Sequence, residues 1–349
     1  MSTGSSVFWR VSASGTSTNS TRFSAHAQGL PSSTLTMRRW LDEWLELCAQ
    51  RGLRPATVAS YRTMIDLHVG LSFGAAALAN VSAQDLNALY RRLLRDGRRD
   101  GRGGLSARTV RYLHTILNKA FADAVRGGHI LVNPGVGADP PSPRASRAPV
   151  FPVWSPAELT RFLQSAKADR HYVAFHLAAA TGLRRGELLG LRWCDVDVAA
   201  GELQVVQTVV EVAHQVRISA PKTERSRRLV ALDVKTCELL ARHCVAAPRN
   251  SEFDDQGLVF CAGGGAPIHP ALFSYYFQRR VRHAGVPRIR FHDLRHTHAT
   301  NALRAGIHPK VVSERLGHSS VTITLDTYSH VLPSMQREAA EAIAALVHA

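Results

Sequence analysis

The stretch FHDLRHTHATNAL, residues 291–303, sets His292, Asp293, Arg295, His296 and His298 close together. On a helix His292 and His296 stand four apart on one face, the spacing of a zinc helix. His292 and Arg295 stand three apart on nearly the same face, and that pairing suits a phosphate. The same residues could also simply pack. A zinc helix of this kind wants His-Glu-x-x-His and a third ligand, and here Asp293, one carbon shorter, stands in the second place. The answer depends on what else the chain supplies.

Four more stretches carry reactive side chains: TGLRRGELLGLRW (181–193), APKTERSRR (220–228), ERLGHSS (314–320) and TLDTYSHV (324–331). With the first, they supply in chain order an arginine, a lysine, a histidine with an arginine, a histidine, and a tyrosine near the C-terminus. In that order and spacing the set resembles the tyrosine recombinases, the phage-integrase family, over about residues 35–340. The resemblance implies roles. Arg184 and Arg295 bind the scissile phosphate, with Glu187 orienting the site by hydrogen bonding. Lys222 protonates the leaving 5′-oxygen. His292 is the candidate base, His318 hydrogen-bonds the phosphate, and Tyr328 is the nucleophile. Arg185 is left solvated or paired with another phosphate, and His296 and His298 are left structural. No metal and no cofactor are implied, which favours the phosphate reading of His292 and Arg295.

The chemistry explains these residue types. A phosphodiester is an anion that resists attack, and its pentacoordinate transition state gathers more charge on the non-bridging oxygens. Guanidinium forks bind those oxygens in bidentate fashion and tighten as the charge develops. A phenol of pKa about 10 costs ~4 kcal/mol to ionise at pH 7; nearby arginines lower that cost, and a histidine can take the proton during attack. A lysine on a turn between strands can reach the leaving oxygen. The implied reaction is transesterification through a 3′-phosphotyrosine, with the bond energy conserved and no ATP needed. It also implies double-stranded DNA attachment sites as partners, four protomers on DNA, and a host DNA-bending protein and an excision factor as candidate helpers. A chromosome-dimer resolvase, a type IB topoisomerase and a catalytically silent DNA-binding regulator are the rival functions.

Composition agrees with a polyanionic partner. Lys+Arg 43 against Asp+Glu 27 gives a formal charge of +16, an excess that points to nucleic acid. Apolar runs fall short of the roughly 18 residues a spanning helix needs, so a membrane is not expected. The five cysteines are widely spaced without a CxxC, which argues against a disulfide framework. With no secretory leader in the N-terminal residues, a reduced cytoplasmic setting is expected.

The elements that must position these residues can be read in outline. A length of 349 residues suggests about two domains. Residues 1–34, rich in Ser and Thr, read as mostly disordered, and too short and polar for an arm-binding domain. Residues 35–132 read as a helical core-binding domain, a bundle of about four helices. Its signals are a stripe through Trp40, Trp44, Leu45 and Leu47, a helix from Thr57 to Leu71 after Pro55, a Ser82/Asp85 capping box, and a long helix from Ser106 to Gly127. Residues 133–149 read as a proline-rich linker. Residues 150–349 read as a catalytic domain opened by a Ser155/Glu158 capping box, with antiparallel strands from GELQVVQTVVEV and QVRIS…RRLVAL joined near Lys222. SVTITL, residues 320–325, alternates like a strand, but the family pattern makes it helical. The patterns give a mainly α fold class with a small antiparallel β-sheet, and the resemblance implies a SAM-like helical domain and a tyrosine-recombinase catalytic domain closing as a C-shaped clamp on duplex DNA. A C-terminal helix carries Met335, Ala339, Ile343 and Leu346 on one stripe; by analogy with the family it docks on a neighbouring protomer, and packing on its own chain is the alternative.

Overall fold

The computed structural model describes residues 35–146, 152–212, 215–220, 227–246, 257–328, 340, 341 and 343–347. The expectations for residues 1–34, Lys222, Met335 and Ala339 lie outside them.

The N-terminal part is built from α1 (Met37–Gln50), α2 (Pro55–His68), the short α3 (Leu71–Ala75), α4 (Ala83–Asp96) and α5 (Ala107–Arg126). The additional turn α3 follows Gly70, whose φ of 74° redirects the chain, so α2 stops at His68 rather than running to Leu71. Thr36, Ser82 and Ser106 cap α1, α4 and α5 through their side chains, Ser82 with Asp85 in a full capping box. The buried stripe of α1 includes Trp40, Leu41, Trp44, Leu45 and Cys48, with Leu47 at its half-buried edge. Both indoles anchor to α5: Trp40 Nε1 donates to Ala120 O at 3.1 Å and Trp44 Nε1 to Asp123 Oδ2 at 2.7 Å. These helices share one hydrophobic core. The proline-rich stretch begins along that core's surface, with Asn133 bonded to Asn118, Asp139 to Asn87, and Pro141 O to Arg111.

A second core is centred on Trp154, Phe162, Phe175, Phe273, Phe277 and Phe291. It gathers α6 (Pro156–Ser165), α7 (Tyr172–Thr181), α8 (Arg185–Leu189), α9 (Val234–Ala246), α10 (Pro270–Ala284) and the start of α11 (Asp293–Arg304). Ser155 and Glu158 form the expected capping box at α6. The chain continues with α12 (Pro309–Leu316) and α13 (Val321–Tyr328). SVTITL is therefore helical from Val321 on: Thr324 is wholly buried and Tyr328 nearly so, and tertiary packing overrides the β-propensity of the run.

The strands depart from the sequence reading. β1 (Val196–Asp197), β2 (Glu202–Val205) and β5 (Arg228–Ala231) form one antiparallel sheet in the order β1-β2-β5, with Leu203 opposite Val230. β3 (Thr208–Val212) and β4 (Gln215–Ser219) form a separate hairpin with Val209 opposite Ile218. The antiparallel partners are thus joined at residues 213–214, and Lys222 falls between β4 and β5, strands of different sheets. The break after Val205 goes with a close tertiary approach. A Cβ on Gly186 would meet Thr208 Oγ1 at 2.3 Å, and one on Gly190 would meet Thr208 Cα at 3.1 Å. Two glycines of the α8 region thus let β3 run against that helix, and Gln207 Nε2 ties the crossing to Gly190 O at 2.9 Å.

Candidate active site

The site forms where α12 ends. Gly317 adopts φ 65° and stops the helix, leaving the last carbonyls in need of donors at the negative end of the helix dipole. Arginines from three other elements supply them. Arg228 Nε, from β5, donates to Arg315 O at 2.6 Å. Arg295 Nη2, from α11, donates to Leu316 O at 2.7 Å, while its Nη1 donates to Gly182 O at 3.0 Å. Arg184, at the cap of α8, reaches Leu316 O and Gly317 O at 3.5 and 3.3 Å. A single buried carboxylate sits among them. Glu187 accepts from Arg184 N and Nη1 at 3.0 and 2.7 Å, and from Arg228 Nη1 and Nη2 at 3.2 and 2.8 Å.

Charge dominates this cluster. Burial works against the Glu187 carboxylate, but the Arg228 hydrogen bonds and charge, then Arg184, hold its pKa down at about 2. Burial lowers Arg295 to about 9, with Arg184 adding repulsion. Three guanidiniums against one carboxylate leave positive charge in excess, held in place by hydrogen bonds before any substrate arrives. Such a pre-organised positive site suits an anion whose charge grows during reaction.

Histidines line the same place. His318 follows Gly317, and its Nδ1 lies 2.8 Å from Thr324 Oγ1. Burial, then Arg295 and Arg184, push its pKa down to about 4, so the ring is neutral at pH 7. His292 is the N-cap of α11 and the open member of the group. Desolvation by its neighbours, then Arg295, lowers its pKa, and its ring stands edge-on to that of His296 at 5.3 Å.

Tyr328 closes the site, and its ring packs with Ala299, Leu303, Val312 and Leu316 in a small cluster of its own. Its hydroxyl lies 2.8 Å from His296 Nδ1. Burial pushes the phenol up to about 12 against the pull of Arg295, and burial together with His292 pushes His296 down to about 4. His298 points elsewhere, with Nδ1 on Ala179 O at 3.0 Å.

Arg184, Glu187, His292, Arg295, His318 and Tyr328 therefore share one site, while Lys222 lies outside the described residues. Arg185 is not solvated: it is half-buried and donates to Ser274 Oγ at 2.6 Å, because α10 packs over α8. Sequence reading missed two participants. Arg228 stood in plain view within APKTERSRR, but nothing local marked a partner 41 residues away. His296 was read as structural, and its contact with Tyr328 depends on how α13 folds back. Among the described residues, no group of three or more His, Cys, Asp or Glu side chains could hold a metal, and no helix is long and apolar enough to cross a membrane.

Comparison with known proteins gives a consistent picture. The model of the phage integrase family matches residues 154–335. The chain is 27% identical over 336 residues to a tyrosine recombinase XerC-like protein of Caldanaerobacter subterraneus subsp. tengcongensis, covering 88% of this chain and 83% of that one. It is 26% identical over 300 residues to the ICEBs1 integrase of Bacillus subtilis, covering 82% and 77%. The fold is similar to that of the Tn1549 transposon integrase in complex with a circular intermediate DNA. The TM-score is 0.72 at 21% identity, over 89% of this chain and 100% of that one. It is also similar to a lambda integrase bound as a dimer to a COC′ core site, with a TM-score of 0.62 at 22% identity over 83% and 97%.

Proposed function

Since the chain belongs to the phage integrase family, the tyrosine recombinases that cleave and rejoin DNA, we propose that it is the site-specific integrase of a mobile element and that Tyr328 carries the strand break. The observation that carries this reading is the convergence of Arg184 and Arg295 on the end of α12, beside His318, with Tyr328 one helix further on. In the proposed reaction the two arginines hold the non-bridging oxygens while Glu187 fixes Arg184. His318 donates to the phosphate, and His292, at the open edge, takes the phenol proton. The Tyr328 oxygen bonds to phosphorus, the bond to the 5′-oxygen breaks, and Lys222 protonates that oxygen. A 5′-hydroxyl from the partner duplex then reverses the step.

Two duplexes with two cuts each require four protomers. Ile343 and Leu346, on a helical stretch near the C-terminus, are 61% and 83% exposed, as expected of a segment that docks on a neighbour. Residues 35–132 and 150–349 act as the two jaws of a DNA clamp, each with its own core. Host bending and excision factors belong to this reading, as does a cytoplasmic site of action.

The test uses a nicked duplex carrying the repeat that flanks the encoding element. Wild type should become attached to the DNA 3′ end. Tyr328→Phe, which removes one oxygen, should lose the adduct and keep DNA affinity. Attachment through another tyrosine would overturn the assignment.

A further inference from the structure

Arg228 has no part in the reaction just described, yet it is among the most tightly held side chains of the site. Its side chain is 7% exposed, so it does not grip DNA from the surface. Its fork spans two elements, with Nη1 and Nη2 on Glu187 and Nε on the α12 carbonyl of Arg315. Arg315 answers in the other direction, donating from α12 to Ala231 O of β5 at 3.1 Å and to Ala180 O at 3.3 Å. β5 and α12 are thus clasped from both sides. The clasp leaves no room at Gly317, where a Cβ would approach Arg228 Nη1 to 2.9 Å.

We propose that Arg228 is a positioning residue for strand cleavage, joining Glu187 to the last turn of α12 so that Arg184 and Arg295 stay aimed at the phosphate. The proposal rests on the recombinase reading above. Glu187 gives Arg184 its fixed direction, and Leu316 O, one residue from the carbonyl that Arg228 holds, orients Arg295. Removing the fork therefore loosens both phosphate-binding arginines without touching DNA. The groups facing Glu187 are Arg184 from its own helix, Arg228 from β5 and Arg295 from α11. Arg228 is the largest of the influences that keep this buried carboxylate ionised. Without it, burial is opposed chiefly by Arg184, so the carboxyl's pKa rises, and the acid once protonated no longer accepts from both Arg184 groups.

The experiment measures adduct formation by the full chain on the nicked duplex from pH 5 to 8.5, as the ratio of variant to wild type. Dividing by wild type removes the titration of groups on which Arg228 does not act, while His318, which Arg228 also influences, is separated from Glu187 by the Glu187→Gln control. Arg228→Met should bind DNA nearly as well as wild type. Its rate ratio should decline on the acid side, approaching roughly tenfold per pH unit once Glu187 protonates. Adding Glu187→Gln should abolish that slope, leaving a low, flat ratio. Arg228→Lys keeps the charge but loses the fork; it should show a shallower slope that Glu187→Gln also abolishes, and it carries the test if methionine is not tolerated. A ratio independent of pH in both single variants, or a slope that survives Glu187→Gln, overturns the proposal. Absence of any adduct with wild type would instead overturn the recombinase reading on which it stands.

Discussion

Tyr328 and His296 face each other across 2.8 Å, hydroxyl to Nδ1, and the two residues are only 2% and 8% exposed. The proposed nucleophile is therefore held under cover, by a neutral imidazole and a small apolar cluster. The hydrogen bond satisfies two buried polar groups at once, so losing one partner should release the other. His296→Ala should raise modification of Tyr328 by a phenol-nitrating reagent in DNA-free protein, read by peptide mass spectrometry. Modification equal to wild type would mean that the apolar cluster alone covers the ring.

Gly317 tests the geometry at the end of α12. It sits at φ 65°, and a methyl group there would also press on Arg228. Holding an alanine in this conformation costs ~1–3 kcal/mol. Gly317→Ala should therefore lower stability by about that amount in urea unfolding. It should slow adduct formation more than it weakens DNA binding, because three arginines use these carbonyls. An active variant of unchanged stability would show that the turn is not constrained.

Acid should weaken the fold in a defined window. His296, His298 and His318 have folded pKa values of about 4 against an ordinary 6.5, burial being the first cause in each. As pH falls below about 6.5 the unfolded chain takes up protons that the folded chain refuses. Stability is thus full above that value and declines down to about 4. The slope is at most roughly 1.4 kcal/mol per pH unit for each fully shifted histidine, and less for the partly exposed His318. His298→Phe, away from Tyr328, should flatten the decline between pH 7 and 5 in denaturant midpoints. An unaltered slope would remove His298 from the account.

Lys222 can be tested through its leaving group. An alkoxide departs poorly near neutral pH, and a general acid helps by ~10²–10⁴-fold. Lys222→Ala should cleave ordinary DNA slowly, yet recover most of its rate when sulfur replaces the bridging 5′-oxygen, since a thiol pKa is only about 8.5. Arg184→Ala should not recover, because the non-bridging oxygens still gain charge. Equal rescue of both, or of neither, would make Lys222 a phosphate contact.

What the sequence determined by itself was local. The capping boxes at Ser82 and Ser155, the stop at Gly127 and the buried face of α5 each depend on residues within a turn or two of one another, so the pattern and its cause lie on the same stretch. The order of the arginine, histidine and tyrosine stretches was legible as a family pattern before any geometry. The tertiary structure decided what those stretches touch. SVTITL is helical because Tyr328 is buried against α11 and α12 and Thr324 is buried beside His318, a gain that outweighs the local preference of β-branched residues. The strands divide into two sheets, and β3 lies against α8, an approach that Gly186 and Gly190 permit and that the alternation of the strand itself does not encode. Arg228 finds Glu187, and His296 finds Tyr328, across 41 and 32 residues. Partnerships at that range follow from how the helices pack and how buried charges must be satisfied, which no spacing along the chain records.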